Sequence, residues 1–228
     1  MAVHESYKKQ SDIARLEKLR ALEKELPIVC SDFFRSISQT TSTLTRLAYA
    51  YDFRLFIQFL IKENPLFADK EPRFFSEEDF AKVKVRDIEV FQDYLTQYYV
   101  NDEETGESHV VQNHELGIMR KLCSLRSLFE YMFKNGIVEA NIATLVSLPK
   151  IHEKPILRLE VDEMQKMLDA VYSGNGLSDH QKKVSENTKK RDLAIILLFL
   201  GTGIRVSECV GINLDDIDME NKAFVVTR

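Results

Sequence analysis

The sequence predicts a mainly α-helical protein of two units, the second of which combines helices with a short strand. Three observations support this prediction. Apolar residues recur every three to four positions over most of the 228 residues, and this is the spacing of one face of a helix. A polar stretch bracketed by prolines, residues 148–155, predicts a linker between the units. The clearest strand pattern comes late, at residues 223–227.

The chain begins with two predicted helical regions. Residues 6–26 read as a charged helix that ends before Pro27. Its apolar stripe is narrow, so we expect it to pack on the rest of the protein or to pair with a partner. A second helical region covers residues 30–62, and residues 40–43 (Thr-Thr-Ser-Thr) supply candidate N-caps for it.

Three more helices are predicted before the linker. The first covers residues 85–100, the second is long and covers residues 109–134, and the third is a short helix at residues 141–146. Asn135-Gly136 is a typical signal for the end of the long helix. Exposed loops are expected at residues 68–76 and 101–108, and the second of these contains Gly106 and four acids.

The second unit is predicted to alternate short elements with one buried helix. Residues 192–200 are almost entirely apolar, so we expect this helix at the centre of a core. The other predicted elements are a helix at residues 160–172, a charged loop at 173–190, a helix at 206–210 and the strand at 223–227.

Composition and charge narrow the function classes. No apolar run reaches the roughly 18 residues of a membrane span, and Met1–Gln10 is too polar for a signal peptide. Three distant cysteines give neither a disulfide framework nor a zinc motif. We therefore expect a cytoplasmic protein with no metal and no cofactor. The net charge of −5 argues mildly against a nucleic-acid partner, but five basic residues gather between His180 and Arg191.

The most informative segment is residues 191–208, where an apolar helix leads into Thr202 and Gly203, then Arg205, then Glu208 three positions later. An arginine presents a planar, permanently charged group that matches phosphate oxygens in two-point geometry. A carboxylate on the next helical turn can hold that group in place. In an isolated Gly-x-Arg-x-x-Glu pattern, an ordinary surface ion pair would be the favoured interpretation.

The longer context resembles the tyrosine recombinases, which cut and rejoin DNA at specific sites. The quoted segments are Arg-Asp-Leu-Ala-Ile-Ile-Leu-Leu at 191–198, Thr-Gly-Ile-Arg-Val-Ser-Glu at 202–208 and Leu-Asp-Asp-Ile-Asp at 214–218; they resemble the start of the family's catalytic domain. Residues 85–95 and 120–132 resemble two helices of its core-binding domain. The resemblance covers residues 33–228 and is strongest to Xer-type members, especially the single-recombinase kind of streptococci and lactococci.

The resemblance implies a fold, boundaries and roles. It implies an N-terminal helical extension (1–29), a helical SAM-like core-binding domain (30–147), a linker (148–155) and the truncated start of an α+β catalytic domain (156–228). Arg205 matches the arginine that stabilises the pentacoordinate phosphate, and Glu208 matches its supporting acid. The family's other catalytic groups, including the tyrosine nucleophile, would follow Arg228. We therefore expect a fragment that binds DNA without cleaving it.

The same resemblance implies partners and a DNA-facing surface. The partners would be a double-stranded recombination site and other recombinase subunits, which form a tetramer on DNA in the full-length family. The candidate DNA-binding residues are Thr41, Thr43, Arg46, Tyr49, Arg120, Lys121, Ser124, Arg126 and Ser127. For any one of them a solvated helix face is an equally good interpretation. Two alternatives stay open: a non-catalytic DNA-binding or regulatory protein, and a helical interaction module derived from a recombinase.

Overall fold

The computed structural model describes residues 7–101, 108–152, 155 and 158–226. It is mainly helical, as predicted, with short strands. The chain divides into two compact units, one within residues 9–153 and one from residue 154 onward. The described part of the chain contains no helix that is both long enough and apolar enough to cross a membrane.

In the residues that the structure describes, the first unit, here the helical unit, has six α-helices and one hairpin. They are α1 (Tyr7–Glu23), α2 (Ile28–Ser36), α3 (Thr43–Glu63), α4 (Glu77–Lys82), α5 (Val85–Tyr94), β1 (Gln97–Asn101), β2 (Ser108–Gln112) and α6 (Glu115–Lys134), followed by a 3-10 turn at Ile142–Thr144. The predicted short helix at 141–146 is therefore a single turn.

Local chemistry sets where these helices begin. Ser42 is the N-cap of α3, and its hydroxyl accepts a hydrogen bond from the backbone N–H of Thr45 at 3.2 Å. Ser76 and Asp79 form a reciprocal capping box at the start of α4. Both caps satisfy N–H groups that the first turn of a helix leaves without a partner, so the polar residues between the apolar runs fix the helix boundaries.

Aromatic side chains dominate the core of the helical unit. Phe34, Phe53, Phe56, Phe91 and Phe129 are each 1% exposed or less. Their rings meet edge-on or offset, as between Phe56 and Phe91, whose centroids lie 5.0 Å apart. Such pairs add about 0.5–1.5 kcal/mol each beyond the burial of their area. This core brings α2, α3, α5 and α6 together and so fixes the relative positions of the polar faces of α3 and α6.

The hairpin corrects the predicted helices at 85–100 and 109–134. The first helix ends at Tyr94, and the second begins only at Glu115. Between them β1 and β2 pair antiparallel, with Tyr99 opposite Val110. Aromatic and β-branched residues on both sides of a glycine-bearing segment are typical of a hairpin. The apolar period of the flanking helices continues into the strand residues, so periodicity alone predicts helix there. Residues 102–107 lie outside the described part of the chain.

The second unit contains α7 (Val161–Ser173), α8 (Asp179–Thr202) and α9 (Val206–Val210), then β3 (Ile217–Asp218) paired with β4 (Ala223–Phe224). The predicted loop at 173–190 was wrong over most of its length. Ser178 caps α8 by accepting from the backbone N–H of Gln181, so the charged segment is the first half of that helix. Of the predicted strand at 223–227, Thr227 lies outside the described residues.

The apolar second half of α8 does not form a closed core. Leu197 and Leu200 are 49% and 41% exposed, and none of the described apolar side chains after residue 154 is buried. Helix α8 packs along α7, and one neighbouring helix can cover only one side of an all-round apolar helix. The expectation that residues 192–200 lie at the centre of a core is therefore not met within the described chain.

Candidate nucleic-acid interface

A tight turn brings Arg205 to the start of a helix. Helix α8 ends at Thr202, and Gly203 follows in the left-handed region with a φ of 65°, a conformation that favours glycine. The hydroxyl of Thr202 accepts a hydrogen bond from the backbone N–H of Ile204 at 3.3 Å. Arg205 then occupies the N-cap position of α9, so two helix ends define its backbone position.

Glu208 holds Arg205 by both its backbone and its side chain. Its Oε2 accepts from the backbone N–H of Arg205 at 3.0 Å, and its Oε1 accepts from the guanidinium at 2.9 Å. The side chain of Arg205 is 70% exposed, whereas that of Glu208 is 15% exposed. The carboxylate thus orients the guanidinium from the protein side, while most of the guanidinium faces solvent, where an anionic group could reach it.

A second cluster, the Asp52 cluster, joins α3 to the first half of α6. The carboxylate of Asp52 is almost fully buried and accepts two hydrogen bonds from Arg120, at 2.8 and 2.9 Å. The ammonium group of Lys121 lies 3.8 Å from the same carboxylate. Burial raises the pKa of Asp52 above its usual value, although Arg120, Lys121 and Ser124 all act to lower it. Burial also lowers the pKa of Lys121, against the opposite effect of Asp52.

Three of the predicted residues line one groove on the helical unit. Thr41, Tyr49 and Ser127 meet there, together with Tyr131 and Lys134. The ring of Tyr49 stacks on Phe33 with centroids 6.2 Å apart, so its position is set by the core. Helix α6 lines one wall of the groove with the hydroxyls of Ser127 and Tyr131 and with Lys134, whose ammonium group lies 3.1 Å from the carboxylate of Glu130 in the same wall. Hydroxyl and ammonium groups can donate hydrogen bonds to phosphate oxygens.

Thr43 and Arg46 interact with each other near the start of α3. The guanidinium of Arg46 donates to the Thr43 hydroxyl at 3.4 Å, and the Nε of Arg46 is buried without a hydrogen-bond partner. This pair lies one to two turns before Tyr49 on the same helix.

Besides Lys121, which lies against Asp52, two of the predicted DNA-binding residues have their acceptors within the protein. Ser124 is completely buried, and its hydroxyl donates to the carbonyl of Lys121 at 2.7 Å. Arg126 donates to the carbonyls of Ala143 and Val146, at 3.1 and 2.7 Å. Helical spacing puts both near the polar face of α6. That spacing does not reveal the later chain segment that folds back to meet Arg126, and the hydroxyl of Ser124 bonds within α6 itself. In this conformation both side chains are thus engaged by acceptors of the protein, and contact with DNA by either one stays a prediction.

Asp52 and Lys134 also belong to these two clusters of polar groups, although neither is among the residues predicted from the sequence. Asp52 is the only acid between Thr43 and Lys62, in a helix whose other residues are mostly apolar or aromatic. A lone acid in such a run is costly to bury unless it is paired, and this was a signal for a specific cation nearby. Lys134 follows Ser127 by seven positions, which is two helical turns and hence the same face.

Metal ligation has no support in the described part of the chain, where no group of three or more His, Cys, Asp or Glu side chains is arranged to hold an ion. Cys30 is buried, Cys123 is exposed and Cys209 is half-buried.

Comparison with known proteins gives one family and a set of relatives. Residues 158–228 match the phage integrase family. The chain is 30% identical over 226 residues to tyrosine recombinase XerC of Caldanaerobacter subterraneus subsp. tengcongensis, covering 96% of this chain and 56% of the relative. It is 29% identical over 234 residues to tyrosine recombinase XerS of Streptococcus agalactiae, covering 93% and 64%. The chain thus spans under two thirds of these relatives. No solved structure matches it.

Proposed function

We infer that this chain, which belongs to the Xer-like tyrosine recombinases, binds the duplex DNA of a recombination site and presents Arg205 to a backbone phosphate. One observation supports this above all. Within the segment that matches the integrase family, Arg205 is held by Glu208 yet remains 70% exposed. A guanidinium that is oriented before binding loses less conformational freedom when it meets a phosphate.

The chemistry of Arg205 follows from its charge and its position. Strand cleavage by the family passes through a phosphorus atom with five oxygens, and negative charge accumulates on the oxygens that stay bound. A fixed cation at those oxygens stabilises the transition state more than the ground state. Glu208 contacts the arginine and need not contact DNA, so it is a positioning residue in this proposal.

The helical unit supplies the larger part of the binding surface. Arg120 is exposed on α6, and the groove formed by Thr41, Tyr49 and Ser127 lies further along the same helix pair. We propose that the cations hold phosphates and the hydroxyls set register on the duplex. Further recombinase subunits bound to neighbouring half-sites would complete the assembly.

A polypeptide of these 228 residues is proposed to bind DNA without forming a covalent bond to it. The resemblance puts the nucleophilic tyrosine after the arginine in sequence, whereas all eight tyrosines here precede Arg205. Groups that act together in catalysis are strongly non-additive, so one arginine without its partners gives little rate. A non-catalytic DNA-binding role is the second candidate on the same observation.

Salt-dependent binding to a labelled random-sequence duplex tests this proposal. With six or more phosphate contacts, affinity should fall on the order of a thousandfold between about 50 and 200 mM salt. Arg205→Ala should weaken binding and reduce the salt slope by about 0.9, while Arg86→Ala, an exposed control on α5, should change neither. Salt-insensitive or absent binding would leave a helical interaction module. A covalent adduct on a nicked duplex would contradict the claim about cleavage.

Cys123 offers a reporter on the proposed surface. It is exposed on α6, three residues after Arg120 and four before Ser127, so it shares their side of the helix. In a Cys209→Ser variant, bound duplex should slow the alkylation of Cys123 by iodoacetamide. Cys30 is the internal control, because it is buried and burial raises the pKa of its thiol, so it should react only after unfolding. Unchanged labelling of Cys123 at saturating DNA would put the duplex on another surface.

A further inference from the structure

We propose that Asp52 is a positioning residue for DNA binding: its buried carboxylate fixes the guanidinium of Arg120 toward solvent and holds Lys121 back from it. This inference rests on the proposed DNA-binding function and assigns to a buried acid a part in recognising a polyanion. In this proposal the Asp52 cluster binds a phosphate through Arg120, the cation of the cluster that faces solvent.

Asp52 and Arg120 form a two-point ion pair. Both carboxylate oxygens of Asp52 accept from Arg120, one from each terminal nitrogen of the guanidinium. Two parallel bonds fix the plane of the guanidinium as well as its position. The carboxylate itself is 3% exposed, whereas the side chain of Arg120 is 48% exposed. The pair therefore runs from the core to the surface.

The guanidinium of Arg120 retains N–H groups that Asp52 does not use. A guanidinium has more N–H groups than one carboxylate can accept from, since it carries five donors and no acceptor. Two of them are given to Asp52, and the side chain is half exposed. The remaining N–H groups can serve an anionic oxygen that approaches from solvent. Because the side chain is already ordered, binding such an oxygen costs less rotamer entropy.

Lys121 is much less exposed than Arg120, although the two residues are adjacent in sequence. Its side chain is only 13% exposed and its ammonium group lies 3.8 Å from Asp52. Two cations thus surround one buried carboxylate, which lowers the cost of keeping that carboxylate charged inside the protein. Lys121 interacts with the buried carboxylate, whereas Arg120 binds that carboxylate and also presents its outer N–H groups to solvent. Adjacent basic residues that look equivalent in sequence therefore have different partners.

An Asp52→Asn variant separates positioning from simple charge. It removes a negative charge beneath the proposed DNA surface, so general electrostatics predicts tighter binding to a polyanion. The positioning proposal predicts the opposite: roughly tenfold weaker binding to a random-sequence duplex, with the salt slope reduced by about 0.9. Arg120→Gln should give the same two changes, and the double variant should bind no more weakly than Arg120→Gln alone.

A matched control carries the same charge change at a pair whose acid is not buried. Asp12 accepts from Arg15 at 3.0 Å on α1, and the Asp12 side chain is 46% exposed, against 3% for Asp52. Asp12→Asn should leave affinity and salt slope unchanged, because a solvated carboxylate fixes its arginine weakly. If Asp12→Asn weakened binding as much as Asp52→Asn, the effect would not be specific to the Asp52 cluster, and the proposal would fail.

Folding is controlled by a second measurement that needs no DNA. Nitrogen-15 relaxation of the Arg120 side chain should report an ordered Nε–H in the wild-type protein and a mobile one in Asp52→Asn, in samples that circular dichroism finds equally helical. Equal order in both proteins overturns the proposal, as does equal or tighter DNA binding by Asp52→Asn. Absence of salt-sensitive binding by the wild-type protein would instead overturn the proposed function and this inference with it.

Discussion

Replacing Arg126 with alanine separates a structural role for this residue from a role in DNA binding. Arg126 is half-buried on α6 and donates to the carbonyls of Ala143 and Val146. Both acceptor residues are 2% exposed, so removing the guanidinium leaves two sheltered carbonyls without these donors. We expect the segment around Ile142–Thr144 to open, while the affinity of the folded protein for DNA stays the same.

The magnitude follows from the two hydrogen bonds. A bond to a charged group contributes about 1.5–3 kcal/mol when it is well buried. Arg126 is only half-buried, and screening by solvent reduces each bond to roughly 1–2 kcal/mol. Loss of both should therefore cost about 2–4 kcal/mol of local stability. Arg126→Lys should fall between wild type and alanine, because an ammonium group cannot match the two-carbonyl geometry of a guanidinium.

Hydrogen exchange measured by mass spectrometry reads this segment directly. A loss of about 2 kcal/mol should speed exchange of the amides at residues 142–146 roughly thirtyfold. The surface variant Arg86→Ala supplies the control and should exchange like wild type. Unchanged exchange in Arg126→Ala, combined with weaker DNA binding and a smaller salt slope, would refute this reasoning and return Arg126 to the DNA-facing surface.

Two further predictions concern stability in each unit. Burial raises the pKa of Asp79, but hydrogen bonds from Lys70 and Ser76 outweigh it, so the folded pKa lies below the ordinary 3.8. Asp79 therefore adds stability above that ordinary value, and this stability is lost as the pH falls through the folded pKa. Urea unfolding should find Asp79→Asn less stable by about 1–3 kcal/mol at pH 7, with the gap closing in acid; a gap independent of pH would contradict this. Amides of α8 should exchange faster than those of α3, because no described apolar side chain of the second unit is buried, and equal protection would count against that reasoning.

Much of the fold could be predicted where the helical period is long and the ends carry caps. Helix α3 follows the predicted apolar period and begins after Ser42, one of the residues proposed as its N-cap. The hairpin is hard to predict because its strands are five residues each and only two residues separate each strand from a helix. The apolar period of the neighbouring helices continues into them. The first half of α8 was missed because its charges read as a loop, although Ser178 and Gln181 form a capping box.

The candidate site could be predicted to the extent that it is local in sequence. Arg205 and Glu208 are three residues apart, and one turn of helix suffices to bring them together. The partner of Arg120 lies 68 residues away on another helix, and those of Arg126 lie 17 and 20 residues away. Helical spacing identifies the face from which a side chain leaves, but only the packing of helices decides which acceptor it meets.

Arg120 and Arg126 make this distinction concrete, since they are the same residue type on one helix. Arg120 meets a carboxylate, which is charged and buried, so the pair must be held together and its outer edge remains a cation. Arg126 donates to the carbonyls of Ala143 and Val146, which are neutral acceptors. Its guanidinium therefore holds that segment of the chain against α6. An arginine on a polar helix face therefore indicates phosphate binding only after its acceptors are known. By this criterion the DNA-facing cations of the proposal are Arg205 and Arg120, each oriented by an acid that is less exposed than the arginine it holds.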